Sequence, residues 1–250
     1  MALTSYLFYT TRLLQNPSAP TPLYATADLT AYINQARNQL AAEAECIRVM
    51  GNLTVTLTSG YGPYPFASIV LPGTPATTGV QYVANVRQAW YLVGSGQKRV
   101  TIRPFEWFSL YNMNTAAPAT GFPSALAQFG QGGNGTLYVS PPPDSTYVLP
   151  LDCVCWPVAL VDDTTIEAIP YMWTDAVPYY AAYLALLSAQ TGVRAAEADK
   201  MLQRYEQFIS RARGAATPSV LSWQSAQVPN PVRAGQLGQQ TQSGQGGQGG

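Results

Sequence analysis

Three carboxylates lie close together in the sequence and are the first candidates for catalysis. Asp162 and Asp163 are adjacent, and Glu167 follows a few residues later, in a pattern that resembles a pair of acid–base groups. Adjacent side chains in a strand or turn point in different directions, which suits a turn or a helix cap better than a shared proton transfer. We therefore expect no catalytic role for this cluster.

Two cysteines separated by one residue, Cys153 and Cys155, suggest metal binding. In a strand their thiols point to the same face. Structural zinc takes four ligands, however, and the sequence has no histidine and no second cluster of ligands to accompany the pair. We interpret the pair as small apolar core residues and expect no metal and no cofactor. With Cys46, they predict free thiols in a reducing compartment.

The glycine-rich stretch FGQGGNG, at 129–135, is the remaining candidate for ligand binding. It has neither a nearby lysine nor a capped helix after it, which a phosphate-binding loop needs, so a flexible loop is favoured. The lack of histidine in the sequence also removes the most common general base. The sequence therefore predicts that the protein is not an enzyme.

The composition is typical of a subunit that is buried on several sides. Only 10% of the residues are charged and 47% are hydrophobic, whereas about a quarter of a soluble domain is usually charged. A surface with so few charges favours an assembly. Thirteen basic and thirteen acidic side chains balance, so no overall field draws the protein to nucleic acid. The longest apolar run is too short to span a bilayer, so we expect no membrane contact.

Apolar residues at helical spacing predict helices toward both ends of the chain. A first helix begins at Leu3 and ends near Asn16. A second helix begins at a cap on Thr26 or Asp28 and stops at Gly51-Asn52. Two further helices are predicted after the middle of the chain, in VPYYAAYLALLSAQ and EADKMLQRYEQFISRAR.

The middle of the chain, residues 52–159, shows the two-residue period of β-strands. The stretches VANVRQAWYLV and KRVTIRP flank a turn at Gly94-Ser95-Gly96 and predict a β-hairpin. YVSPPPDSTYVLPLDCVCWP, at 138–157, alternates in the same way around a proline-rich turn, and it predicts a second hairpin.

These elements predict an α+β fold. Amphipathic helices need partners that cover their apolar stripes, so residues 1–51 and 160–213 are expected to form an α-helical bundle. The section at 52–159 is then a large β-rich insertion into that bundle. Residues 214–250 are expected to be an extended tail, because a Gln- and Gly-rich sequence cannot pack a core of its own.

The tail nevertheless carries apolar residues, in PSVLSWQSAQVPNPV at 218–232. An exposed tryptophan is costly unless a neighbour buries it, and aromatic residues are favoured in interfaces. We predict that this stretch orders against another chain; the alternative is a solvated tail. The predicted contact residues are Val220, Leu221, Trp223, Val228, Pro229 and Pro231.

Basic side chains lie on and beside the first predicted hairpin. They could line a DNA channel, meet phosphate or face an acidic neighbour, and the simpler interpretation is a solvated hairpin tip. These residues are Arg87, Lys98, Arg99 and Arg103.

The order of these features resembles the head-to-tail adaptor proteins of short-tailed bacteriophages, over about residues 3–213. The pairing of the proline-rich stretch with the helix in WTDAVPYYAAYLALL carries most of the likeness. The stretches that carry the rest are ATADLTAYINQARNQLAAEA, YVSPPPDSTYVLPLDCVCWPVALVDD, IPYMWTDAVPYYAAYLALLSAQ and ADKMLQRYEQFISRAR.

The resemblance implies a structural protein that forms a ring, commonly dodecameric, beneath the portal of a DNA-filled capsid. The helical bundle would form the body, the β insertion would meet the tail nozzle or fibres, and the C-terminal extension would grip the portal. The ring would extend the DNA channel, with weak contacts to the passing DNA at most. It implies the head–tail junction of the virion as the location, with the host cytoplasm during assembly.

Two other interpretations compete with this one. The first is another structural phage protein, such as a tail-tube or head-completion subunit, although tube subunits are usually β throughout. The second is a carbohydrate-binding module or a glycan-active enzyme, suggested by WYLVGSG, FEWFSLY and the sixteen tyrosines, because aromatic side chains stack on sugars.

Overall fold

A computed structural model describes residues 1–16, 22–93, 96–111, 119–188 and 192–216. The helices are α1 (Leu3–Leu13), α2 (Thr26–Ala44), α3 (Pro75–Thr78), α4 (Phe105–Tyr111), α5 (Ala176–Ser188) and α6 (Gly192–Ala216). The strands are β1 (Arg48–Val55), β2 (Tyr64–Pro65), β3 (Val80–Val93), β4 (Gly96–Arg103), β5 (Ala125–Phe129), β6 (Thr136–Ser140) and β7 (Tyr147–Pro157).

The helices bury the stripes that their sequences predict. On α2 the buried residues recur every three or four positions, from Leu29 through Ile33 and Ala36 to Leu40, which places them on one face of the helix. Both α1 and α2 pack against α5. The two tyrosines Tyr179 and Tyr180 of α5 lie against aromatic rings of α6. Within the described residues, no helix is long and apolar enough to cross a membrane.

The second helix ends earlier than its sequence predicts. It ends at Ala44, where Glu45 adopts a left-handed conformation with φ +47°, and β1 begins at Arg48. Gly51 therefore lies inside a strand and does not stop a helix. The predicted caps are also wrong, since Ala25 occupies the N-cap position and no side chain caps it. The sequence predicted a longer helix because Ile47 continues the apolar stripe of α2. In the structure Ile47 is buried in the connection between α2 and β1.

The strands of the described residues join in one sheet, in the order β1-β7-β3-β4-β5-β6-β2. All neighbours are antiparallel except β4 and β5, which are parallel. The ladder between β3 and β7 ends at the pair Ala89–Leu151. The next residue of β7 is Pro150, which has no N–H to donate to a further pair.

The first predicted hairpin is confirmed, with a shorter turn. β3 and β4 pair from Ala89–Val100 to Val93–Gly96, so that two residues rather than three connect the strands. Past Val100, β4 leaves β3 and pairs with β5.

The second predicted hairpin, at 138–157, is wrong. β6 pairs with β2 and β5, whereas β7 pairs with β1 and β3. The alternation of apolar residues correctly indicated two strands, because side chains alternate across a sheet. It did not indicate that residues 151–155 of β7 are buried on both faces. It does not determine which strand lies beside which, and here two strands that are adjacent in sequence have different neighbours.

One hydrophobic core joins the helices and the sheet. It contains Tyr6 of α1, Leu40 of α2 and Tyr205 of α6, together with Leu53 and Leu151 of the sheet. The mixed α+β class is therefore confirmed. The helical bundle as a separate body and the extended C-terminal tail stay predictions, as does the division at 1–51, 52–159, 160–213 and 214–250.

Gly79 fixes the point where the chain enters β3. Its φ is +69°, and an added Cβ atom would lie 2.2 Å from the carbonyl oxygen of Ile166. Its own carbonyl oxygen accepts the N–H of Val158 at 2.7 Å. This glycine therefore holds the segment that follows β7 against the start of β3, in a conformation that side chains avoid.

We expect Gly79→Ala to lower the free energy of unfolding by about 1–3 kcal/mol, because it combines an unfavourable φ with a backbone clash. Gly133→Ala is the matched control, since no heavy atom lies within 4 Å of its added Cβ, and it should change stability by less than about 0.5 kcal/mol. Urea unfolding of both variants measures the difference. Equal midpoints would contradict this role of Gly79.

Candidate functional site

The two adjacent aspartates have separate structural roles. The carboxylate of Asp162 accepts the N–H groups of Thr164 and Thr165 at 2.9 and 3.1 Å, which closes a turn. The carboxylate of Asp163 accepts the N–H and the hydroxyl of Thr4, both at 2.8 Å, at the start of α1. These hydrogen bonds lower the pKa of both carboxyl groups. The interpretation of the pair as a turn and a helix cap is confirmed.

Glu167 is part of a buried ion pair. Its carboxylate meets the guanidinium of Arg37 at 2.8 and 3.0 Å, in a bidentate contact, and accepts the hydroxyl of Tyr6 at 2.7 Å. The Arg37 side chain is fully buried, and that of Glu167 is 6% exposed. Burial, followed by the neighbouring carboxylate, raises the pKa of Tyr6 far above its usual value, so the hydroxyl remains a donor.

The same region ties the segment after β7 to α2 by further hydrogen bonds. Arg37 also donates to the carbonyl oxygen of Val158 at 2.7 Å. The amide of Asn34 bonds both the N–H and the carbonyl oxygen of Leu160, at 2.8 and 3.0 Å. With the ion pair, these bonds satisfy polar groups that would otherwise be buried without partners.

The cysteines are free thiols. Cys153 and Cys155 are buried in β7 and belong to the core, as predicted. Burial raises the pKa of both thiols to about 12 and that of Cys46 to about 11, so all three are protonated and unreactive at neutral pH. Within the described residues, no group of three or more His, Cys, Asp or Glu side chains could hold a metal ion.

The predicted basic residues divide into two groups. Arg87, on β3, forms an ion pair with Glu45 at 2.8 Å. It lines a cavity of about 650 Å³ together with Arg103 and the amide side chains of Gln128 and Gln131. Glu45 therefore offsets one of the two positive charges at this cavity.

The residues of β4 alternate between two faces. Val100 is buried, so Arg99, Thr101 and Arg103 lie on the opposite face. Arg99 is paired across the strands with Trp90, and the guanidinium of Arg103 lies 5.3 Å from the ring centre of Trp107. Lys98 shares the side of Val100 and is paired with Tyr91. The structure thus places Arg99 and Arg103 on one face of β4 and Lys98 on the other.

The aromatic residues of FEWFSLY mainly pack against the sheet. Phe105 lies 4.7 Å from Phe129 and 5.0 Å from Tyr138, measured between ring centres. Phe108 is fully buried. Phe105 and Phe108 thus attach α4 to the sheet, which explains these two rings without a sugar ligand.

The predicted portal-contact residues lie outside the described residues. They are Val220, Leu221, Trp223, Val228, Pro229 and Pro231.

Sequence reasoning missed two parts of this arrangement. Arg37 and Glu167 are 130 positions apart, and no local pattern joins them. The pair of Trp90 and Arg99 could have been found from the sequence. If two residues connect the strands of the predicted hairpin, the strand register places Trp90 opposite Arg99. The three-residue turn that we predicted shifts the register by one residue, so it does not place Trp90 opposite Arg99.

The carboxylates and cysteines that the sequence singled out have structural contacts in a turn, at a helix start, in an ion pair and in the core. The chain belongs to the family of SU10 adaptor proteins, which it matches over residues 9–233. This family match confirms the resemblance to phage head-to-tail adaptors. No curated protein matches the chain. The matched range includes the stretch around Trp223 and ends before most of the Gln- and Gly-rich run.

Membership in this family defines the general role. The protein is a phage adaptor, which is a structural component of the virion that acts with other assembly components.

We expect Arg37→Met to lower the free energy of unfolding by about 3–5 kcal/mol, because it leaves the carboxylate of Glu167 buried without its cation. Chemical denaturation followed by circular dichroism measures the loss.

The matched control is Arg213→Met. The guanidinium of Arg213 lies 3.8 Å from the carboxylate of Glu43 and donates to the backbone carbonyl oxygen of Glu43 at 2.8 Å, but the side chain is 60% exposed. This change should therefore cost less than about 1 kcal/mol. A control that loses as much stability as Arg37→Met would show that burial of the ion pair is not the cause.

Proposed function

We propose that this protein is a head-to-tail adaptor that forms a ring under the portal, extends the DNA channel and provides the attachment surface for the tail nozzle or fibres. The match to the adaptor family over residues 9–233 carries the proposal. A dodecameric ring is the assembly that the resemblance implies. Assembly takes place in the host cytoplasm.

Exposed apolar side chains support a subunit that is covered in an assembly. Tyr171 is 84% exposed, Val161 79% and Met172 67%. Tyr171 and Met172 are adjacent in the sequence, and exposed apolar patches mark interaction sites more often than free surface. The low charge of the whole chain supports the same conclusion.

The C-terminal stretch is proposed to bind the portal. Trp223, with Val220, Leu221 and Val228, supplies the apolar anchors, and Pro229 and Pro231 complete the proposed contact. The family match includes this stretch, which supports a role that other adaptors share.

The helices and the sheet are proposed to serve different partners. The helical part, 1–51 and 160–213, forms the body of the ring, and the β-rich part, 52–159, meets the nozzle or fibres. Passing DNA makes weak contacts only. The ion pair of Arg87 with Glu45 supports this limit, because a paired cation has less field to offer a phosphate.

Mass measurement of the purified protein, alone and mixed with portal rings, tests the proposal. We expect a free monomer that becomes a ring only on the portal. Native mass spectrometry or light scattering gives the number of copies in each state.

Two results would contradict the adaptor. Self-assembly into long tubes without a portal would indicate a tail-tube subunit. A monomer that does not bind portals but shows saturable binding of simple polysaccharides would indicate a carbohydrate-binding module.

We expect Trp223→Ala to weaken portal binding by about 30-fold or more, since a central aromatic anchor contributes about 2 kcal/mol or more to an interface. The affinity of the variant for portal rings measures the effect.

A chain that stops after residue 233 is the matched control. It removes residues beyond the family match and should bind portal rings as the full chain does. Normal affinity of Trp223→Ala would exclude this residue from the contact.

A further inference from the structure

Charges of opposite sign are segregated along this chain. No acidic residue lies between Glu45 and Glu106, and no basic residue lies between Arg103 and Arg194. The chain as a whole has equal numbers of acidic and basic side chains, 13 of each. Its charges are therefore balanced overall and unbalanced locally.

One basic surface lies at the β3–β4 hairpin. We define the hairpin face as Trp90, Leu92, Arg99, Thr101 and Arg103, which alternate onto one side of the two strands. Leu92 is 52% exposed, and Arg99 and Arg103 are exposed as well. Neither arginine is in an ion pair with any carboxylate of the described residues. Glu106, in α4, is the nearest acidic residue in the sequence.

An acidic surface lies in the segment that follows β7. We define the acidic loop as residues 161–172. Its exposed carboxylates, Asp162 and Asp163, bond threonines and backbone N–H groups, and no cation of the described residues is paired with them. The exposed side chains of Val161, Tyr171 and Met172 belong to the same segment. This surface is thus apolar and negative, whereas the hairpin face is apolar and positive.

The two surfaces lie at opposite ends of β3. The acidic loop is anchored at the start of the strand, where Gly79 bonds Val158 and packs against Ile166. At the other end, Trp90, Leu92 and Arg99 of the hairpin face lie close to the turn where Val93 pairs with Gly96. Arg103 lies further from the turn, in the cavity with Val86 and Arg87 near the middle of β3. β3 has 14 residues, which span roughly 40 Å at the usual rise of a strand. Arg99, opposite Trp90, therefore lies roughly 30 Å along β3 from the anchor of the acidic loop. No ion pair of the described residues joins the two surfaces within one copy.

We propose that the hairpin face of one copy packs against the acidic loop of the next copy. This inference rests on the proposed function, because it assigns the contact between neighbours in the ring. Two different surfaces in contact form a heterologous interface, which generates a ring when the rotation closes. Opposite charges set the orientation of the neighbours, and the apolar side chains supply the buried area.

A second copy fits the hairpin face better than DNA does. Phosphates complement only its arginines, and they leave Leu92 and the ring of Trp90 in contact with charge. The acidic loop complements both, since the same segment offers the exposed carboxylates of Asp162 and Asp163 and the exposed side chains of Tyr171 and Met172.

Reversal of one charge on the hairpin face tests the contact. We expect Arg99→Glu to raise the protein concentration needed for full loading of portal rings by about tenfold or more, because like charges then face each other. Lys98→Glu is the matched control. It makes the same change of charge one residue away, on the opposite side of β4, and should load as the wild type does.

A compensating reversal sharpens the test. The double variant Arg99→Glu with Asp162→Arg exchanges the charges of the two surfaces and should regain most of the lost loading. Asp162 also closes a turn, so the thermal midpoint of each monomer is measured first. If the double variant does not fold, the salt dependence of wild-type loading replaces it, and loading should weaken as salt rises.

The outcomes separate this inference from the proposed function. Wild-type protein that loads portals, with Arg99→Glu equal to it, would overturn the contact and leave the adaptor role intact. If the wild type does not bind portals, the adaptor role fails. Sedimentation equilibrium at high protein concentration then tests the contact between copies. If the contact exists, Arg99→Glu self-associates more weakly than Lys98→Glu. Normal loading of Arg99→Glu with lost retention of duplex DNA would assign the hairpin face to DNA and overturn the proposal.

Discussion

The buried ion pair between Arg37 and Glu167 is the constraint on which the arrangement of helices and sheet depends. Burial of two charges costs several kcal/mol, and the pair is tolerated only because its hydrogen bonds are nearly all made, by Asn34, Tyr6 and the backbone of Val158 and Ile169. An apolar pair would pack in many ways, whereas a bidentate contact with further partners accepts one geometry. The pair therefore fixes where the chain leaves β7 and approaches α2.

That fixed exit determines much of the remaining surface. The segment from Val158 to Ile169 bonds α2 on one side and the start of β3, through Gly79, on the other. Asp163, within the same segment, holds the first turn of α1. One connection thus contacts two helices and the longest strand of the described residues, and it leaves Val161 exposed, as is Tyr171 just beyond it. A loop held this firmly can present apolar side chains to a partner with little loss of conformational entropy on binding.

The sequence predicted those features that depend on neighbours along the chain. The apolar stripe of α2 and the β3–β4 hairpin follow from local periodicity, and both are present. The partner of β7 and the early end of α2 could not be predicted in this way. Pairing of β7 with β1 joins residues about a hundred positions apart, as in Arg48 and Val154, and a period of two does not specify a neighbour. For the site, the aspartates were interpreted correctly, whereas the cation for Glu167 comes from a distant helix.

The small number of charges gives each of them a larger role than in an ordinary soluble domain. Only 10% of the residues are charged, so each cation that is buried in the core leaves one fewer cation on the surface. Arg37, Arg48 and Arg87 have carboxylate partners inside the copy, and each of these pairs orients one element against another. Arg99 and Arg103 have no such partner among the described residues. The paired charges align elements within one copy. These two arginines of the hairpin face are charges that remain to align neighbouring copies.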